Sequence, residues 1–132
     1  MAYDPFHRSA DQTQLLDSLI EHARGTVLAG TPATAVFDLD GCLFDNRPRQ
    51  IQILREFAAQ HGIDELWQVE LSHFEDWSTE RTLRNAGMAE DRVEAIRERL
   101  LTYWYRQFFR SEYCLYDIAM PGAPQLVWDI YR

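Results

Sequence analysis

The chain has 132 residues, 46% of them hydrophobic, which is enough for one soluble domain with a genuine core. A formal net charge of -8, carried against 13 basic residues that are all Arg, argues against a nucleic-acid partner, because a polyanion is repelled unless the arginines gather on one face. Only two cysteines are present, Cys42 and Cys114, without metal-ligand spacing, which fits a reducing compartment such as the cytoplasm.

Residues 1–10 contain His7 and Arg8 and no apolar stretch, so neither a signal peptide nor a membrane span is expected there. A first helix is predicted from about residues 9–11, with Leu15, Leu16, Leu19, Ile20 and Ala23 on one stripe and a stop at Gly25. Its polar face, with Asp11, Asp17 and Glu21, speaks against a membrane-surface role. After the break at Gly30-Thr31-Pro32, residues 33–39 read as a short buried strand by length and by β-branched and aromatic content. Side chains alternate along a strand, so Asp38 and Asp40 are expected to point the same way where the strand opens into its loop. Two like charges so close resist joint ionisation unless a cation or a shared proton relieves them, and a divalent metal is implied.

The following elements read as helical. Residues 48–61 carry Ile51, Ile53, Leu54, Phe57 and Ala58 at helical spacing and Gly62 supplies the stop; Asp45 and Asn46 are candidates to orient the loop or cap this helix, with capping the expected role of Asn46 because Arg47-Pro48 follows. Residues 63–77 are mixed and read as irregular or short helical structure. Ser78-Thr79-Glu80 caps a short helix over 81–86, ended by Gly87. A long helix over about 89–110 places Val93, Ile96, Leu100, Leu101, Trp104, Phe108 and Phe109 near one face. Its arginines, Arg92, Arg97, Arg99, Arg106 and Arg110, interleave with acids and read as a salt-bridged, solvated face. Residues 113–117 lead back, and Pro121-Gly122-Ala123-Pro124 opens a last helix over 125–132. No internal repeat is visible.

The run Phe37-Asp38-Leu39-Asp40-Gly41-Cys42-Leu43-Phe44-Asp45 resembles the first motif of the haloacid dehalogenase superfamily, an apolar strand followed by Asp-x-Asp-Gly-(Thr or Val)-Leu-x-Asp. The resemblance implies an α/β fold, a Rossmann-like core of which only the first part is present, carrying an inserted α-helical cap. The domains expected from it are 1–46 as core with the motif, 47–116 as cap, and 117–132 as the return to the core, with the chain stopping before the second motif. It implies a Mg²⁺-dependent phosphomonoester hydrolase in which Asp38 is the nucleophile and Asp40 the general acid and base. Magnesium would be held by the Asp38 carboxylate and the Asp40 carbonyl, and the amides of Gly41, Cys42 and Leu43 would cradle phosphate. The acid at position 40 favours phosphatase chemistry, since dehalogenating relatives carry Tyr there and phosphonatases Ala. Cys42 replaces the usual Thr and reads as a small turn residue.

In the expected cap, His73, Trp77, Arg81 and Arg84 are candidate contacts to a small phosphorylated metabolite, with core, capping or solvated roles as the plainer alternatives. No Lys exists in the sequence, so by resemblance the chain alone is expected to lack groups that steady the aspartyl phosphate. The exposed edges of an incomplete sheet also suggest self-association. A non-catalytic helical interaction module, or one part of a two-chain enzyme, remains the alternative.

Overall fold

A computed structural model of the chain describes residues 10–131, with side chains from residue 13. The expectation of no leader within residues 1–10 falls almost wholly outside this range. The elements in order are α1 (Ala10–Leu28), β1 (Phe44–Asp45), α2 (Arg47–His61), α3 (Thr79–Asn85), α4 (Glu90–Phe108), β2 (Ile118–Ala119) and α5 (Ala123–Tyr131), with short 3₁₀ turns at Asp64–Gln68, Leu71–His73 and Ser111–Tyr116. The chain forms two compact units: Asp45–Ile118, and the segments that flank it. The two connections between them, β1 and β2, pair as a two-stranded sheet.

The helical unit, Asp45–Ile118, owes its stability to two faces of α2. Ile51, Leu54, Phe57 and Ala58 recur at i, i+3, i+6 and i+7 and bury against Leu66, Val69, Leu83, Val93, Ile96 and Leu100. Each such large side chain, fully buried, contributes about 1.5–3 kcal/mol. Ile53 points the other way and packs with Phe108 and Tyr113. Helix α2 stops where Gly62 takes a left-handed conformation, φ 64°, and returns its N–H to the Ala58 carbonyl. That conformation is strained for a residue with a Cβ. Helix α3 starts where Ser78 Oγ accepts the N–H of Arg81 at 3.2 Å, the capping bond its sequence foretells.

Several expectations are corrected here. Helix α1 runs through Gly25 to Leu28, and the chain turns only at Ala29 and Gly30, whose N–H groups reach the Gly25 and Val27 carbonyls. One glycine costs a helix only about 1 kcal/mol relative to Ala, so it need not end one. Residues 31–38 form no strand: the segment has no regular structure and Val36 is 90% exposed. A strand needs a neighbour to accept its ladder, and among the described residues none lies beside this one. Phe109 lies just past the end of α4 and is 75% exposed rather than on its buried face. The described chain is thus mostly helical, with a sheet of two short strands.

Candidate active site

The acidic run sits in a tight turn. Leu39 O accepts the N–H groups of Cys42 (3.4 Å), Leu43 (3.1 Å) and Phe44 (2.9 Å), and Gly41 donates to Phe44 O at 2.7 Å. Leu39 and Phe44 thereby bracket Asp40, which forms an isolated parallel bridge with Phe44. Gly41 has φ 77°, a value that only glycine adopts without strain, so the turn depends on it. Asp38 is exposed, and its Oδ1 accepts the N–H of Leu39 at 2.9 Å. Asp40 is half-buried. The amides of Gly41, Cys42 and Leu43, expected to hold phosphate, all donate to carbonyls of this turn.

The capping role falls on Asp45, not on Asn46. Asp45 Oδ1 accepts the backbone N–H of Arg47 at 3.1 Å, and its two oxygens take Arg47 Nε and Nη2 at 2.8 and 2.7 Å. Burial pushes the Asp45 carboxyl up, but the hydrogen bonds and charge of Arg47 outweigh it and hold it below its ordinary value. Asn46 stands at the cap position of α2 without a capping bond; its Oδ1 accepts Gln50 Nε2 at 3.1 Å, and its buried Nδ2 has no hydrogen-bond partner.

The four residues named as substrate contacts lie on the helical unit. His73 closes a reciprocal cap: its Nδ1 accepts the Glu70 N–H at 3.0 Å while Glu70 accepts the His73 N–H. Its carbonyl also holds Asn85 Nδ2 at 2.9 Å. Arg81 pairs with Asp76 at 2.7 Å, and Arg84 forms a two-pronged pair with Glu90 at 2.6 Å. Trp77 is 61% exposed. On α4, Arg92 and Arg97 pair with Glu65 and Glu80, acids off the helix rather than those interleaved with them.

Two polar clusters escape sequence reading. Glu56 accepts Gln52 Nε2 at 2.9 Å and the hydroxyls of Tyr113 and Tyr103, while Gln60 donates to Tyr103 Oη at 2.9 Å. Burial first, and the Glu56 carboxylate second, raise the Tyr113 hydroxyl far above its ordinary pKa, and Tyr103 is raised by the same causes. The second cluster joins Arg49 to Asp117. Only the i, i+4 pair Gln52–Glu56 carries a local signal; the other partners are brought together by packing.

A family model described as haloacid dehalogenase-like hydrolase matches residues 35–118. The chain belongs to that family, and the matched segment opens on the Asp38-Leu39-Asp40-Gly41 run. Comparison with curated proteins gives no match, and comparison with solved structures gives none either.

The described residues bring no group of three His, Cys, Asp or Glu side chains together around one point. A closed all-protein metal cage is therefore absent among them. Magnesium, however, is commonly held through one or two carboxylates with water and substrate phosphate completing the shell, and the exposed Asp38 suits that kind of binding. No helix among the described residues is long and apolar enough to cross a membrane.

Proposed function

We propose that the chain carries the nucleophile and the proton-transfer group of a phosphomonoester hydrolase. The observation that carries this reading is the carboxylate of Asp40 two residues after that of Asp38, at the head of the segment matched to the hydrolase family. An Asp38 oxygen attacks phosphorus, the bond to the substrate oxygen breaks, and Asp40 protonates the departing alcohol. Water then attacks the aspartyl phosphate and passes a proton to Asp40, which releases inorganic phosphate and restores the Asp38 carboxylate. The Asp38 carboxylate and the Asp40 carbonyl would hold a divalent cation, which when bound would supply positive charge against the phosphoryl oxygens.

Residues 47–116 serve in this reading as the specificity-giving cap for a small phosphorylated metabolite. His73 and Arg81 are its substrate contacts, with Trp77 and Arg84 as further candidates. The ring edge of His73 not tied to Glu70 remains the surface for such contact. None of the 132 residues is a lysine, and one missing electrostatic donor typically lowers rate by about 10²- to 10³-fold, so this chain alone is expected to be inactive as a catalyst. The two unpaired cysteines support placement in the cytoplasm, and the exposed 31–38 segment supports self-association.

Beryllofluoride binding tests the nucleophile without requiring turnover. A fluorine resonance that needs both Mg²⁺ and the wild-type chain, vanishes in Asp38→Asn and persists in Asp40→Asn is the expected result. Absence of any Mg²⁺-dependent signal in the wild type overturns the enzymatic reading and favours the interaction module.

A further inference from the structure

The first turn of α2 holds two arginines, Arg47 and Arg49, and no acidic residue. Cations there oppose the helix dipole, so their position calls for partners elsewhere. Each finds one at an end of the helical unit. Arg47 holds Asp45 in a two-pronged pair at the unit's first residue. Arg49 holds Asp117, one residue before the unit's last, through Nε at 2.8 Å and through Nη2. Both side chains of the second pair are 7% exposed.

Arg49 does more than pair. Its Nη1 donates to Phe108 O at 3.1 Å, one of the carbonyls that the end of α4 leaves without a helical donor, and its guanidinium lies 4.5 Å above the Phe108 ring. One planar cation thus joins the start of α2, the end of α4 and the outgoing segment. We propose that Arg49 is a clasp that locks the outgoing segment, residues 111–118, onto α2 and α4, so that release of this segment is a distinct local opening of the unit under the control of one side chain. The inference does not depend on the catalytic reading. Lysine cannot replace this residue, because it lacks the rigid fork that serves a carboxylate and a carbonyl together.

Hydrogen exchange on the full chain tests the clasp. The reporters are the amides of Tyr113 and Asp117 in the segment, which donate to Arg110 O just before it and to Cys114 O within it, and the amide of Met88, which donates to Leu83 O away from it. Removing one partner of a buried pair leaves the other uncompensated, so in Arg49→Met the two segment amides exchange roughly 10²-fold faster or more. The amide of Met88 changes far less, and Arg49→Lys behaves like Arg49→Met. Unchanged exchange at Tyr113 and Asp117 overturns the proposal. So does an equal acceleration at all three amides, since Arg49 then merely supports the whole unit. Should Arg49→Met not fold, the nearly isosteric Asp117→Asn puts the same question from the other side of the pair, with the same two readings.

Discussion

The helical unit and the segment bearing the acidic run answer the same hydrophobic demand in opposite ways. In the first, Leu54, Phe57, Leu66, Leu83, Val93 and Leu100 meet one another and leave almost no surface to solvent. In the second, Val36 and Leu39 belong to an equally apolar run and stay exposed. Helices satisfy their backbone internally and need only a stripe of neighbours, which α2, α3 and α4 supply within one stretch of chain. A strand needs another strand on at least one side before its apolar residues can be buried. Core formation here follows from the range over which each element finds its partners, not from hydrophobicity alone.

The contrast can be broken from the helical side. Phe57→Ala should lower the unfolding free energy by about 3–5 kcal/mol, because a fully buried ring is removed from a packed core. Urea denaturation followed by circular dichroism measures it. Tyr113→Phe should be the next largest, at about 1.5–3 kcal/mol, since it takes a hydroxyl from the Glu56 carboxylate. The same tyrosine sets an alkaline limit. Its folded pKa is raised above the unfolded value near 10, so its contribution is whole below about pH 10 and is lost as pH climbs toward the folded value. A stability profile between pH 8 and 11 should fall at its upper end in the wild type and more shallowly in Tyr113→Phe. Ser78→Ala removes the cap of α3 and should cost about 1 kcal/mol in the same denaturation assay. At the small end stands Val36→Ser, expected to change stability by less than about 0.5 kcal/mol because the side chain is already in solvent. A loss of several kcal/mol there would mean that the segment is buried in solution, for instance against a second copy of the chain.

The helices were legible because their signals are local. Apolar spacing marks α2 and α4, Gly62 marks a stop, and Ser78 marks a start, each within a few residues of the feature it controls. The acidic run was legible for the same reason, being nine consecutive residues that fall within the segment matched to the family. What stayed hidden depends on distance along the chain. Arg49 and Asp117 are 68 positions apart, and Glu56 and Tyr113 are 57 apart. Between Asp45 and Asn46 the sequence offers two good caps by type and favours the wrong one, because Arg47 folds back to share the Asp45 carboxylate. The strand over 33–39 was misread because an apolar run reports a tendency to be buried and carries no information on whether a neighbouring strand is there to do it.

The pairing of β1 with β2 has a modular consequence. Hydrogen-bonded strands run about 4.7–4.9 Å apart, so the backbone leaves Phe44 and comes back at Ala119 with almost no gap to bridge. A segment whose two ends meet in this way imposes little strain on the chain that flanks it, whatever its length. Exchange of the 74 positions numbered 45–118 for another cassette whose ends lie equally close is therefore expected to demand no change in the separation of Phe44 from Ala119.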